Sequence, residues 1–111
     1  MTFDRFDTVV VPFPFADRDA TKKRPAVVLC DAAFVEATNT VTLAMITSAR
    51  QSNWPGDTSV EDRETAGLPM PSKVRMKLFT LEDRLIERRI GTLSPQDRDA
   101  VRTALERHIF P

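Results

Sequence analysis

The order of apolar and polar residues divides the chain into short segments. Thr8 to Phe15 reads Thr-Val-Val-Val-Pro-Phe-Pro-Phe, and strand alternation sets Val9, Val11, Phe13 and Phe15 on one face with Val10, Pro12 and Pro14 on the other. Pro12 and Pro14 remove two amide donors from the same strand edge, so that end of the strand can pair only on its other side, as near a barrel rim. A polar loop, Asp17 to Arg24, leads to a second apolar strand over Pro25 to Cys30. Asp31 is a helix-capping residue, and Asp31 to Ala37 reads as one or two helical turns. A turn at Asn39-Thr40 precedes a third strand, Val41 to Ile46.

The second half is more broken. Thr47 to Trp54 is a polar loop, and Pro55-Gly56 and Gly67-Leu68-Pro69-Met70-Pro71 are breakers. Lys73 to Phe79 alternates, with Val74, Met76 and Leu78 inward and Lys73, Arg75 and Lys77 outward. Leu85 to Ile90 is expected to be a last short strand. Ser94-Pro95-Gln96-Asp97 begins a helix with a capping serine, proline at the first position and an acid in the first turn. Val101, Ala104, Leu105 and Ile109 then recur at helical spacing. Several short strands with one terminal helix predict a β-rich α+β fold, a small, partly open β-barrel rather than a βαβ unit.

Length, composition and charge narrow the function. With 111 residues the chain suits one domain over 1–111, and its 41% apolar content is enough for a single core. A formal net charge of zero gives no global pull toward nucleic acid or an anionic membrane, so a polyanion would need a local patch. One cysteine, Cys30, excludes an internal disulfide and a thiolate zinc site. One histidine, His108, leaves no material for paired imidazoles or a His-rich metal site. Cys30 reads as a small buried hydrophobe and His108 as a helix-end cation. Any chemistry must therefore run on Arg, Lys, Asp, Glu, Ser and Thr; no cofactor and no metal are expected. No basic, apolar leader opens the sequence and no run nears the roughly 18 apolar residues of a membrane span, so a cytoplasmic location off the membrane is expected.

Five fragments carry a resemblance: Val10-Val11-Pro12-Phe13-Pro14-Phe15, Lys23-Arg24-Pro25-Ala26-Val27-Val28-Leu29, Ile46-Thr47-Ser48, Gly67-Leu68-Pro69 with Ser72-Lys73-Val74-Arg75, and Gly91-Thr92-Leu93-Ser94-Pro95. In order and approximate spacing they resemble the MazF/PemK family of toxin endoribonucleases. The resemblance implies an SH3-like barrel, a homodimer, sequence-selective cutting of single-stranded RNA and inhibition by a cognate antitoxin protein. It also implies that Arg24, in its Arg-Pro pair, and Thr47, opening the loop after the third strand, are catalytic, with Asp19 as an additional carboxylate. The chain departs from the family at Phe6-Asp7, where many members have Gly-Asp, so a positive φ there would strain Phe6. It departs again at Lys77-Leu78, which bears on RNA sequence preference.

The chemistry suits these residues. RNA brings its own nucleophile, the 2′-hydroxyl, so internal transesterification needs neither a metal nor a covalent intermediate. Charge builds on the non-bridging phosphate oxygens, and the permanently charged fork of an arginine can hold two of them. Arg24 is expected to be that clamp, with Thr47 donating a hydroxyl hydrogen bond; Arg24 is a poor general base, and Asp19 is the candidate for that role. Lys22, Lys23, Ser48 and Arg50 flank the expected site and could contact RNA. Lys73, Arg75 and Lys77 form either a phosphate-binding row or a solvated strand face. Trp54 either stacks on an unpaired base or covers the core or a dimer contact. Two rivals share the fold class. A non-enzymatic gyrase inhibitor resembling CcdB would carry a carboxy-terminal Trp-Gly-Ile, whereas this chain ends His108-Ile109-Phe110-Pro111. An RNA-binding module without cleavage would have no need of both Arg24 and Thr47.

Overall fold

In a computed structural model, which describes residues 2–12 and 22–110, six strands form one antiparallel sheet in the order β4-β5-β3-β2-β1-β6. The strands are β1 (Asp7–Pro12), β2 (Lys23–Val28), β3 (Thr40–Ser48), β4 (Thr58–Ser59), β5 (Ser72–Glu82) and β6 (Arg88–Thr92). Helices α1 (Ala32–Thr38), α2 (Arg63–Ala66) and α3 (Pro95–His108) complete the domain. The sheet is a partly open barrel with β4 and β6 at its edges, as the alternation predicts. No helix of the described residues is long and apolar enough to cross a membrane.

The central strands are buried on both faces. Val27, Ala44, Ile46 and Val74 pack with Ala66 of α2 and Val101 and Leu105 of α3. Their chain neighbours Ala26, Val28, Val41 and Leu43 pack on the opposite side with Val9, Val11 and Val35 of α1. This two-sided burial explains why β2 reads as a continuous apolar run. Pro12 behaves as its missing amide requires. Thr8 to Pro12 pairs with β2, but pairing with β6 stops at Val10. Phe13, Pro14, Phe15 and the loop to Thr21 lie outside the described residues.

Local chemistry sets the helix ends. Asp31 Oδ1 accepts from Phe34 N (2.9 Å), starting α1 where the capping residue predicts. Ser94 Oγ accepts from Asp97 N (3.2 Å) and Pro95 fills the first position of α3. Val101, Ala104 and Leu105 face the core, but Ile109 lies beyond the last helical residue and is exposed. Two elements carry too little periodicity to announce themselves. The four-residue α2 is held between the Asp62 cap and Gly67 (φ 71°), and the two-residue β4 exists only by pairing with β5. The expected strand at Leu85 to Ile90 starts later, because Asp83–Leu85 forms a 3₁₀ turn, and β6 runs on to Thr92.

Phe6 adopts φ 71°, the left-handed conformation that glycine would take without strain. Its ring is 4% exposed, its amide donates to Val28 O (2.7 Å), and its carbonyl accepts from Leu93 N (3.0 Å) and Thr92 Oγ1 (3.2 Å). The guanidinium carbons of Arg102 and Arg98 sit 5.3 and 5.8 Å from the ring centroid. These contacts hold the unfavourable backbone in place.

Candidate functional site

A groove of about 660 Å³ opens where β2 begins and β3 ends. Lys22, Arg24, Thr47, Ser48, Gln51 and Arg75 supply polar groups to its lining, over an apolar wall that includes Met45, Ile46, Leu68 and Met70. The strand register explains why Arg24 meets Thr47. Val28, Val27 and Ala26 of β2 lie opposite Leu43, Ala44 and Met45 of β3. Two residues further along the same register brings Arg24 level with Thr47 and on the same face. Pro25 sits between Arg24 and the ladder with no amide to donate, while Val11 of β1 pairs with Arg24 from the other side.

Apart from Asp19, the remaining expected site residues fall into three groups. Lys22 and Ser48 line the groove with Arg24 and Thr47, and Ser48 Oγ accepts from Arg50 N (3.2 Å). Lys23 and Arg50 are exposed beside it without lining it, and Lys23 Nζ lies 3.7 Å from Glu87 Oε2. Asp19 lies outside the described residues.

The third group corrects an expectation. Lys73, Arg75 and Lys77 do lie on the strand face opposite Val74, Met76 and Leu78, but that face is not solvated. The loop from Ala49 to Asp57 folds over it, leaving Lys73 4% and Arg75 7% exposed. Lys73 Nζ donates to Gln51 O (2.7 Å) and Asn53 Oδ1 (2.9 Å) and lies 3.1 Å from Asp57 Oδ2. Arg75 grips Asp57 through Nε (3.1 Å) and Nη2 (3.0 Å), and Nη2 also donates to Ser52 O (2.5 Å). A bulge helps to seat them. Ala44 pairs with Leu78 but Met45 with Arg75, so Met76 and Lys77 have no opposite residue in β3.

Asp57 is the residue that sequence reasoning missed. It follows Pro55-Gly56 and reads as an ordinary turn residue, yet it is the counterion of two buried cations. Burial raises its carboxyl pKa, but hydrogen bonds from Arg75, the Trp54 amide and Lys73, with the charge of Arg75, outweigh that and lower it from 3.8 to about 2. Trp54 closes the cluster from outside. Its ring centroid is 4.7 Å from Arg75 Cζ and 5.8 Å from Lys77 Nζ, and the residue stays 42% exposed. Cys30 is half-buried, with Sγ accepting from Thr42 N (3.5 Å), and His108 is the exposed last residue of α3.

The groove therefore gathers the guanidinium of Arg24, the hydroxyl of Thr47 and the ammonium of Lys22 along one lining. Among the described residues no three of His, Cys, Asp or Glu cluster as a metal site would require.

Comparison with known proteins gives the family and the fold. The family model for the PemK-like, MazF-like toxin of type II toxin-antitoxin systems matches residues 4–109. Among solved structures, MazF from Deinococcus radiodurans (form I) is similar at 23% identity and a TM-score of 0.75, over 96% of each chain. A MazE–MazF structure from the same organism (form II) is similar at 18% identity and a TM-score of 0.75, over 96% of this chain and 94% of that one. The Mycobacterium tuberculosis toxin MazF-mt6 is similar at 22% identity and a TM-score of 0.73, over 91% and 93%. At these identities the structural likeness is one of fold. No curated protein matches the sequence.

Proposed function

The chain belongs to the PemK-like, MazF-like toxin family of type II toxin-antitoxin systems, and we propose that it is a metal-independent, sequence-selective endoribonuclease that cuts single-stranded RNA in the cytoplasm. The observation that carries this reading is that Arg24 and Thr47 line one groove, where the β2–β3 register, continued two residues past Ala26 and Met45, brings them level.

In the reaction the 2′-oxygen of one nucleotide attacks the adjacent phosphorus. A bond forms between phosphorus and O2′, the bond to O5′ of the next nucleotide breaks, and the 2′-hydroxyl proton leaves to a base while O5′ gains one. The products are a 2′,3′-cyclic phosphate and a 5′-hydroxyl. Arg24 holds the non-bridging oxygens as their charge grows, and Thr47 donates a hydrogen bond to the same phosphate. Lys22 and Ser48 hold the chain on either side of the cut, with Lys23 and Arg50 as outer contacts. Asp19 takes the 2′-hydroxyl proton. Lys73 and Arg75 act from beneath, fixing the loop that walls the groove, and Lys77 acts beside Trp54.

The MazE–MazF structure among the neighbours supports a cognate antitoxin as partner, and the homodimer is carried over from the sequence resemblance alone. The test is incubation of purified protein with long, mixed-sequence single-stranded RNA in EDTA, with the fragment ends mapped. Cuts at a short recurring motif are expected, with cyclic phosphate and 5′-hydroxyl ends. Removing one preorganised donor through Arg24→Ala should slow cutting by about 100- to 1000-fold. Intact RNA from folded, antitoxin-free wild-type protein would overturn the reading. Asp19→Asn should depress cutting while RNA binding persists; normal cutting would remove Asp19 from the mechanism.

A further inference from the structure

Trp54 is the only tryptophan of the chain, and there is no tyrosine. A tryptophan whose task was to cover the core would be buried among apolar side chains. This one rests on cations instead, with Arg75 Cζ 4.7 Å and Lys77 Nζ 5.8 Å from the ring centroid, and it remains 42% exposed. Its backbone is fixed too, since Trp54 N donates to Asp57 Oδ2 (3.0 Å) and Trp54 O accepts from Asp57 N (3.1 Å). Arg75 cannot swing away from the ring, because Asp57 and Ser52 hold its guanidinium and it is 7% exposed. The result is an aromatic surface preorganised before any ligand arrives, at little entropic cost to binding.

Its position gives it a ligand class. Arg75 both props the indole and lines the groove that contains Arg24 and Thr47, so the ring stands beside the place where a phosphate would be held. An aromatic ring beside a cationic groove suits a single strand: Lys22 and Arg24 of the groove meet its backbone and the ring meets a base face. We propose that Trp54 is a stacking site for an unpaired base of the RNA, with Arg75 and Asp57 as the positioning residues that set the ring. This inference rests on the ribonuclease reading for the identity of its polymer.

The experiment uses a 2′-O-methyl single-stranded RNA, which lacks the nucleophile and stays whole, and a copy with abasic positions. Each is titrated into the wild-type protein while the emission of Trp54 is followed. Affinities for Trp54→Ala and Trp54→Phe are read from the anisotropy of an end-labelled strand. Quenching is expected with the base-containing strand and should weaken with the abasic copy. Trp54→Ala should lose about 5- to 150-fold in affinity, as expected for one stacked base. Trp54→Phe should lose less, and with cleavable RNA the alanine variant should show a raised KM and a kcat within about twofold of wild type. Unchanged emission on binding would overturn the proposal, as would equal affinity of all three proteins. Loss of self-association in Trp54→Ala with RNA affinity unchanged would assign the ring to a protein contact and overturn it as well. Cleavage by the wild type is scored separately, so failure of the ribonuclease reading and failure of the stacking site give different results.

Discussion

One carboxylate holding two buried cations has consequences that can be measured. The folded pKa of Asp57, about 2, lies below its ordinary 3.8, so its contribution to stability is full above pH 3.8 and is lost as pH falls toward 2. The shift is worth roughly 2 kcal/mol. At neutral pH, Asp57→Asn removes the counterion and strands Lys73 and Arg75, which should cost about 3–5 kcal/mol in urea unfolding. Its acid sensitivity between pH 4 and 2 should also be weaker than that of the wild type; a parallel pH profile would show that Asp57 carries no such linkage. Phe6 makes a second prediction. Glycine normally costs more than alanine outside a turn, but at φ 71° the order should reverse. Both substitutions lose the buried ring, and Phe6→Gly should be the more stable of the two by roughly 1 kcal/mol. If Phe6→Ala were the more stable, the left-handed backbone would be carrying no strain.

At the level of elements, α3 is tied to the rest of the domain by a residue in its own first turn. Asp97 is 1% exposed, and its carboxylate accepts from Glu61 N and Asp62 N, both at 3.0 Å. Asp97→Ala would leave two amides without an acceptor and should destabilise the fold by about 2–4 kcal/mol. An effect below about 0.5 kcal/mol, the size of an ordinary helix-end charge effect, would show that the bridge to Glu61 and Asp62 contributes little. The sequence discloses half of this. Ser94-Pro95 announces where α3 begins, because capping is local chemistry, but nothing in Asp97 says that its partners lie in the segment before α2. The same division runs through the site. Arg24 and Thr47 are singled out because their fragments match a family pattern, and both line one groove. Lys73 and Arg75 show their correct alternation, yet their burial depends on a loop that folds over them and a bulge in the pairing of β3 with β5. Period-two patterning states which face a residue occupies, and not what lies over that face. The α2 and β4 segments were illegible for a simpler reason, since four and two residues are too short for any period.

For the molecule as a whole, a formal net charge of zero means that the proposed RNA substrate would have to be held by the few cations that reach it. Seven Lys and Arg side chains stand in the expected site: Lys22, Lys23, Arg24, Arg50, Lys73, Arg75 and Lys77. If all seven met phosphates, the logarithm of the binding constant would fall with the logarithm of salt at a slope of about −4.9, from roughly 0.7 per contact on a single strand. The architecture argues for fewer. Lys73 and Arg75 are buried on Asp57, and Lys77 stands beside Trp54, which leaves Lys22 and Arg24 in the groove with Lys23 and Arg50 at its side. Two to four contacts predict a slope of about −1.4 to −2.8. Stacking on Trp54 adds affinity without adding to the slope, because releasing no counterion it has no salt term of that kind. Binding of 2′-O-methyl RNA between about 50 and 200 mM salt measures this directly. In Lys22→Ala the slope should become shallower by about 0.7, whereas in Trp54→Ala the whole line should drop at an unchanged slope. A wild-type slope near −4.9 would mean that the loop over Lys73 and Arg75 opens on RNA and gives up its hold on Asp57. That would make the loop a moving part of the site rather than its fixed wall.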